Sequence, residues 1–426
     1  MKKLYTISLL LLSGLIAFAQ NYTDGIFVLN EGMAGTDGAS VSFIKNNIVT
    51  NDIYSTANDN AALGNTGQSF SIHGDYAYIV LNMSNKIEVV NKYTLVHVAS
   101  IETGLNNPRY MAFSNGKGFV TNWGNGGITD GYIAVLNLEN NTVESNIAVT
   151  QGPERIQEIN GTLYTAQQGG FGYGNTVTVI DPVALTVSGS VTVGYVPNSM
   201  FVKDGFLYVL CGGSPSWSGA ETFGSLSKID LTTNTIVSTT DFPEQHPANL
   251  RAGNGNDVYY TIDADIYKTD ITATTLPQAP IASLPVVGSY GVYGMDFIDD
   301  VLYVADAVNY TSPGHVYLYD GNGVAITDYT VGVIPNGFYK SASEVLATPN
   351  PVTALKITVA PNPTADVFYI NANAAASIKM YNVQGRLVKD ETYTANGIAV
   401  RDLTAGVYFV EITTGQTKNV QRLIVK

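Results

Sequence analysis

The sequence contains a unit of 40–50 residues that recurs along most of its length and limits the folds available to it. Short alternating segments such as 76–80, 86–90 and 132–136 recur, bounded by Gly, Asn, Asp or Pro, which is typical of β-strands. Six units share a turn, a Pro or a substitute, and two strands, with equivalent positions at Gln68, Pro108, Pro153, Pro197, Pro247 and Gly294. Their spacings of 40, 45, 44, 50 and 47 residues indicate a β-propeller with four strands per blade.

The two ends of the repeat region predict how the propeller closes. Residues 25–29, 39–44 and 48–55 resemble a blade without its first strand, and residues 331–339 match a first strand with no blade after it. Joining them removes exposed sheet edges, which invite aggregation. The sequence therefore predicts an all-β fold with a seven-bladed β-propeller at residues 21–342, closed by its C-terminal strand. Six or eight blades stay open, because residues 247–285 have weak outer strands.

The N-terminus predicts export. Lys2 and Lys3 precede an apolar run at residues 7–18, and Ala17 and Ala19 supply small residues at −3 and −1 of a cleavage site. Residues 1–19 therefore read as a cleaved signal peptide rather than a membrane anchor. We expect no transmembrane segment in the mature chain, since no later segment reaches 18 apolar residues. The cleavage site has no Cys, which argues against a lipoprotein anchor.

The charge and cysteine content exclude several functions. The 426 residues include 35 acidic and 21 basic residues, a formal net charge of −14, so a nucleic acid partner, which needs clustered Lys and Arg, is not expected. The single Cys excludes a disulfide framework and a multi-thiolate metal site. Residues 20–356 hold 12 basic and 30 acidic residues, whereas residues 357–426 hold 7 and 5. The tail is thus a compositionally distinct domain.

After a linker at residues 343–356, the tail at residues 357–426 shows alternating strands that predict a small C-terminal β-sandwich. Four motifs occur there in order: a Pro-Asn-Pro segment, a turn at 381–386, the segment 403–408 and a basic final strand. The tail resembles the type A sorting domain of the type IX secretion system of Bacteroidetes. The resemblance implies a partnership with that secretion machinery, passage across the outer membrane, and surface attachment or release. The matching positions are Pro361, Asn362, Pro363, Gly385, Arg386, Gly406, Tyr408 and Lys426.

One face of the predicted propeller is elaborated with aromatic and guanidinium side chains. Turns between second and third strands share a face with turns between blades, and here both kinds are rich in aromatic residues. Such a surface suits a flat, partly polar ligand, although the same side chains could simply pack the loops. The candidate ligand-binding residues are Arg109, Tyr110, Trp123, Arg155, Phe171, Tyr173, Tyr195, Trp217, Phe223, His246, Arg251, Tyr290 and Tyr310.

The body also resembles a family. Residues 25–43 and the repeats at 106–113 and 197–210 are similar to YncE-like, YVTN-type secreted propellers, and most similar to Bacteroidetes surface propellers, some of which capture cobamides for an outer-membrane transporter. Those capture proteins are typically lipoproteins, whereas this chain carries a sorting tail instead. The resemblance implies the fold and makes a cobamide one candidate ligand.

Catalysis requires a positioned base, nucleophile or metal, and the sequence offers little of this. The four His residues (73, 97, 246 and 315) show no metal-binding spacing, and only His246 lies on the elaborated face. Asp263 and Asp265 suit a polar turn better than a calcium loop, and Cys211 follows an apolar strand that predicts burial. We therefore expect no catalytic residue, no metal and no cofactor.

These observations predict a secreted, surface-displayed, non-catalytic protein that uses one aromatic face to bind a small molecule such as a cobamide. An adhesion role, with a glycan or protein as partner, is the main alternative. A lactonase-like or dehydrogenase-like propeller enzyme is a further one.

Overall fold

The fold is described from a computed structural model, in residues 20–125, 129–285, 291–343, 358–370, 376–394, 396–414 and 417–426. The predicted signal peptide with Ala17 and Ala19, nearly all of the predicted linker, and Tyr290 lie outside these ranges. The chain divides into two compact units, Met1–Glu344 and Val345–Lys426.

The first unit contains antiparallel sheets of four strands, and six of these sheets are each built from four consecutive strands. The second sheet consists of β4 (Gly67–His73), β5 (Tyr76–Leu81), β6 (Lys86–Asn91) and β7 (His97–Ile101). The third consists of β8 (Pro108–Ser114), β9 (Lys117–Asn122), β10 (Tyr132–Asn137) and β11 (Thr142–Ala148). The fourth consists of β12 (Pro153–Ile159), β13 (Thr162–Gln167), β14 (Thr176–Asp181) and β15 (Thr186–Thr192).

Three further sheets continue the same plan. The fifth sheet consists of β16 (Pro197–Lys203), β17 (Phe206–Cys211), β18 (Gly224–Asp230) and β19 (Thr235–Phe242). The sixth consists of β20 (Ala248–Ala252), β21 (Asp257–Ile262), β22 (Asp265–Asp270) and β23 (Ala282–Ser283). The seventh consists of β24 (Gly294–Ile298), β25 (Val301–Asp306), β26 (Pro313–Asp320) and β27 (Ala325–Val333). The two-residue β23 agrees with the weak outer strands expected in this part of the chain.

The first sheet combines both ends of the unit. It consists of β1 (Ile26–Asn30), β2 (Ser40–Lys45), β3 (Ile48–Thr50) and, on the other side of β1, β28 (Pro335–Lys340). Phe27 lies opposite Tyr339 and Val28 opposite Phe338 in this antiparallel pair.

The segment expected to continue as a strand to Ser55 instead forms a short helix, α1 (Ile53–Ala57). Asp52 adopts a left-handed backbone with φ 54°, which ends the extended chain, and Ile53 and Tyr54 are buried. Within the described ranges, no helix is long and apolar enough to cross a membrane.

Neighbouring sheets pack through apolar side chains that alternate along their strands. Between the second and third sheets, Val80 and Val89 pack with Val120 and Leu136. The seventh and first sheets share another cluster of buried residues, including Val28 and Val316. The innermost strands contact one another in the succession β4, β8, β12, β16, β20, β24 and β28, and β28 also contacts β4. The first unit is thus a propeller-like all-β assembly.

The second unit contains two antiparallel sheets that share one apolar core. The smaller sheet consists of β29 (Val359–Ala360), β30 (Val367–Ile370) and β33 (Ile398–Ala399), and the larger of β31 (Ser377–Asn382), β32 (Leu387–Thr392), β34 (Gly406–Thr414) and β35 (Thr417–Val425). Phe368 and Ile398 from the first sheet pack with Met380, Val410 and Leu423 from the second, as in a β-sandwich.

The predicted sorting-motif residues hold the ends and turns of this second unit. Asn362, between Pro361 and Pro363, donates through Nδ2 to the carbonyl of Arg422 (2.6 Å) and accepts through Oδ1 from the amide of Ile424 (3.0 Å). Gly385 (φ 77°) and Arg386 lie in the turn between β31 and β32. The amide of Gly385 donates to the carbonyl of Asn382, and the amide of Arg386 donates to the Asn382 side-chain oxygen. Gly406 begins β34, Tyr408 donates its hydroxyl to the carbonyl of Thr404 (2.8 Å), and the amide of Lys426 donates to Thr364.

Candidate functional site

The innermost strands begin with an irregularity that turns polar side chains toward one another. In most of these strands the pairing with the second strand shifts register close to the start, and such bulges re-aim side chains. In these six strands the residue directly after the first one is polar, and these residues are Gln68, Arg109, Glu154, Asn198, Asn249 and Asn336.

An ion pair between two neighbouring innermost strands anchors this end of the unit. Arg109 donates through Nε to Oε2 of Glu154 (2.9 Å) and through Nη2 to Oε1 (3.0 Å). The Trp123 indole N–H donates to the same Oε2 (2.9 Å), and the Arg109 guanidinium lies 4.1 Å from the centre of the Trp123 ring. The Arg109 and Glu154 side chains are only 15% and 5% exposed, so this bidentate pair is engaged internally.

A second carboxylate joins this cluster from the first sheet. Glu31 accepts hydrogen bonds from the Tyr293 hydroxyl (2.9 Å) and from Nδ2 of Asn336 (3.0 Å). Burial raises the pKa of Glu31, against the lowering effect of these hydrogen bonds and of the Arg109 charge. The ring of Tyr310 packs edge-on against Tyr293, with 5.6 Å between centroids. The cluster thus connects strands that are more than 260 residues apart in sequence.

Further along the innermost strands lies a cavity of about 290 Å³, here called the axial cavity. The guanidinium of Arg155 lies 4.0 Å from the centre of the Tyr110 ring at its wall. Nε of Arg251 lies 3.2 Å from a carboxylate oxygen of Asp296. The cavity is lined by Tyr110, Met111, Arg155, Ile156, Gln157, Ser199, Met200, Phe201, Leu250, Arg251 and Asp296.

Aromatic side chains project from the loops at the end of the strands where Trp123 lies. Phe171 packs edge-on against Trp123, with 5.5 Å between ring centroids. Gly152 permits this loop packing, because a Cβ there would lie 1.8 Å from the amide nitrogen of Gly170. The exposed aromatic face consists of Trp217 (83% exposed), Phe171 (69%), Phe223 (44%), Tyr195 (42%) and Tyr173 (40%).

The structure separates the predicted binding residues into groups. Arg109, Trp123 and Phe171 form one contact chain, whereas Tyr110, Arg155 and Arg251 line the axial cavity. Phe223 contacts His246, with 6.0 Å between ring centroids, and Tyr310 contacts Tyr293. Tyr173 and Tyr195 are exposed loop residues, and Trp217 is exposed in a short 3-10 helix (Ser216–Ser218) between β17 and β18. Tyr290 lies outside the described residues.

Sequence reasoning missed the polar partners of the predicted residues, namely Glu31, Glu154, Tyr293, Asn336 and Asp296. Glu154 carried a usable signal, because it directly follows the Pro153 that marks its repeat, as Arg109 follows Pro108. Glu31 carried none, since its partners come from the opposite end of the unit.

The residues considered for catalysis have structural partners. Nδ1 of His246 lies 2.8 Å from the carbonyl of Gly212, and its Nε2 lies 3.4 Å from Glu221. Cys211 is buried as expected, and burial raises its thiol pKa to about 12, so the thiol stays protonated. Asp265 accepts a hydrogen bond from the Ser283 hydroxyl. Within the described ranges, no three His, Cys, Asp or Glu side chains are grouped so that they could hold a metal ion.

Two family models match the chain, one in each unit. The family described as "Domain of unknown function (DUF5074)" matches residues 24–345, and the "Secretion system C-terminal sorting domain" matches residues 358–426. The second match confirms the predicted sorting tail. It indicates secretion through the type IX system to the cell surface or the extracellular space.

Solved structures with a similar arrangement include those of three different proteins. Hydrazine synthase of Kuenenia stuttgartiensis is 17% identical, with 58% of this chain and 74% of that chain covered and a TM-score of 0.46. The computationally designed Ika8 protein is 11% identical (74% and 92% covered, TM-score 0.48). Dihydro-heme d1 dehydrogenase NirN in complex with DHE is 11% identical (76% and 76% covered, TM-score 0.48). No curated protein matches the chain.

Proposed function

We propose that this chain, which belongs to the DUF5074 family through residues 24–345, is a non-catalytic binding protein that acts outside the cell. The observation that carries the proposal is the exposed aromatic face. Trp217 and Phe171 are 83% and 69% exposed on loops at one end of the strands. A surface with several large, exposed aromatic side chains usually marks a contact surface. Secretion gives these side chains access to ligands outside the cell.

The rigidity of the layer beneath supports binding rather than loop packing. Arg109, Glu154 and Trp123 are hydrogen-bonded to one another, so the base of the Phe171 loop is fixed by partly buried hydrogen bonds. A fixed platform with free aromatic side chains loses little conformational entropy when a ligand binds.

The non-catalytic part of the proposal rests on the same kind of contact. The ring nitrogens of His246 lie against Gly212 and Glu221, and the Cys211 thiol is buried and protonated. Neither group is presented as a free base or nucleophile.

We also propose that the seven sheets are the blades of one closed seven-bladed propeller. The pairing of β28 with β1 and the apolar cluster that includes Val28 and Val316 support closure through the C-terminal strand. Closure leaves both ends of the first unit held by hydrogen bonds within a single sheet.

Cobamide capture is the finer form of this proposal and rests on the resemblance of the body to surface propellers. The axial cavity, at about 290 Å³, lies at the lower limit of small-molecule pockets. A cobamide carries a corrin macrocycle and a nucleotide loop, so it would lie on the exposed aromatic face. Stacking of sugar rings on the same side chains favours glycan binding as the alternative.

The test is thermal unfolding of the purified full chain with cyanocobalamin, haem and oligosaccharides. A ligand that binds the folded state raises the midpoint temperature of unfolding. At a ligand concentration 100 times the dissociation constant, the folded state is stabilised by about 2.7 kcal/mol. We expect the shift to be lost in Trp217→Ala or Phe171→Ala. Val183→Ala is the matched control, because Val183 is 75% exposed on a turn at the other end of the strands.

A midpoint shift that both aromatic variants retain would contradict binding at this face. If no probe shifts the midpoint, small-molecule capture fails. Immobilised glycans and surface extracts then test the adhesion alternative.

A further inference from the structure

We propose that the axial cavity binds a small organic carboxylate through the guanidinium of Arg155. The inference rests on the proposed binding function but assigns a second site, away from the exposed aromatic face. The two sites share no residue, so each can fail independently.

The walls of the axial cavity are built by five successive innermost strands. Strands β8, β12, β16, β20 and β24 contribute Tyr110, Arg155, Phe201, Arg251 and Asp296, respectively. Side chains on rigid strands keep a fixed geometry, which is what a specific small-molecule site requires. The cavity volume of about 290 Å³ is close to the lower limit of small-molecule pockets, so the cavity has room for a small molecule.

The charges in the cavity leave one cation without a counter-charge. Arg251 is paired with Asp296 at 3.2 Å and also donates through Nη1 to the carbonyl of Leu250 (2.8 Å). Arg155 contacts the face of Tyr110, and no carboxylate of the described residues lies within ion-pair distance of it. The two arginines and one aspartate therefore give the lining a net charge of +1.

This local charge contrasts with the surrounding domain. Residues 20–356 hold 30 acidic and 12 basic residues, so counter-charges are abundant elsewhere in the body. A guanidinium stays protonated at any physiological pH, and keeping it half-buried without a carboxylate costs stability. A ligand carboxylate would remove that cost, since its two oxygens match the N–H fork of arginine.

The other polar groups of the lining are occupied. Nε2 of Gln157 donates to the carbonyl of Met200 (3.2 Å), and the Ser199 hydroxyl lies 2.7 Å from Oδ1 of Asn198 and accepts from the amide of Leu250. Among the described residues, Arg155 is therefore the lining guanidinium that has neither an ion-pair partner nor a hydrogen-bond acceptor. Ile156, Met200 and Phe201 add an apolar wall, which favours a carboxylate attached to an apolar body over an inorganic anion.

The experiment is calorimetric titration of the purified full chain with benzoate, which combines a carboxylate with a small apolar ring. Benzamide is the matched neutral probe of the same shape. We expect benzoate to bind at one site and benzamide to bind at least tenfold more weakly. Arg155→Gln should weaken benzoate binding at least tenfold without lowering the thermal midpoint of the ligand-free chain, since it removes a half-buried charge that has no counter-charge. Arg386→Gln makes the same charge change at an exposed turn and should leave benzoate binding unchanged.

Arg155→Lys supplies a second variant that keeps the charge but loses the planar fork. We expect it to bind benzoate more weakly than the unmodified chain and more tightly than Arg155→Gln. Trp217→Ala should leave benzoate binding unchanged, which separates this site from the exposed aromatic face. Three results would overturn the proposal: equal binding of benzoate and benzamide, no benzoate binding with a dissociation constant of about 1 mM or lower, or undiminished benzoate binding by both Arg155 variants.

Discussion

Individual charged residues in the first unit contribute unequally to the free energy of unfolding, because they are buried to different extents. Glu154 is 5% exposed and satisfies both Arg109 and Trp123, so Glu154→Ala leaves a buried guanidinium without its partner. We expect the free energy of unfolding to fall by about 3–5 kcal/mol, measured by urea unfolding. Glu144→Ala is the control, since its ion pair with Lys117 is about one-third exposed and should contribute less than about 1 kcal/mol. Similar losses in both variants would contradict this assignment.

A second residue-scale prediction concerns acid stability. Glu88 is buried, which by itself raises its pKa, but bonds from His97, Ser100 and Tyr54 and the Lys86 charge outweigh burial and lower it. Because the pKa of Glu88 is lower in the folded than in the unfolded state, its carboxylate stabilises the fold fully at pH values above the unfolded-state pKa of about 4.3. That stability is lost as pH falls through the folded value.

Urea unfolding between pH 3 and pH 7 checks the Glu88 prediction. The unmodified chain should lose more stability than Glu88→Gln as pH falls below about 4. Parallel stability curves for the two proteins would show that the carboxylate is not linked to folding.

At the scale of single elements, the sixth sheet should be the most dynamic in its outer part. Within the described residues, β23 pairs with β22 only at Asp265 and Ile266. The equivalent strand β18 pairs with β19 along its whole length. Hydrogen–deuterium exchange should therefore be faster in peptides covering Lys268–Asp270 than in those covering Lys228–Asp230. Equal protection of the two segments would mean that the outer edge of β22 is covered by other parts of the chain.

At the scale of the whole molecule, the proposed closure of the propeller depends on β28. A chain that ends after residue 334 lacks the strand that pairs with β1 and leaves a three-stranded sheet with an open edge. We expect this shorter chain to aggregate, or to unfold at a midpoint temperature more than about 10 °C lower. A shift of that size corresponds to a loss of several kcal/mol, roughly, in the free energy of unfolding. A chain that ends at residue 343 keeps β28 and serves as the control. Equal midpoints for the two truncated chains would contradict closure by β28.

Much of the architecture could be predicted from the sequence because its causes are local. Alternating side chains define each strand, and turn residues separate the strands, so the 40–50-residue repeat was visible in the chain. The sorting tail was predicted from short motifs and is confirmed, and Asn362 and Gly385 occupy structural positions in it. The signal peptide, the cobamide ligand and the absence of catalysis stay predictions.

The strand repeat, the sorting tail and the loops that carry Trp217 and Phe171 could thus be predicted from sequence patterns. Which polar groups meet became visible only in the folded chain: Glu31 with Tyr293 and Asn336, Arg109 with Glu154, and Arg251 with Asp296. The difference follows from distance along the chain. Strand pattern is set by neighbouring residues, whereas charge pairing at the axis depends on bulges and sheet packing that bring distant repeats together.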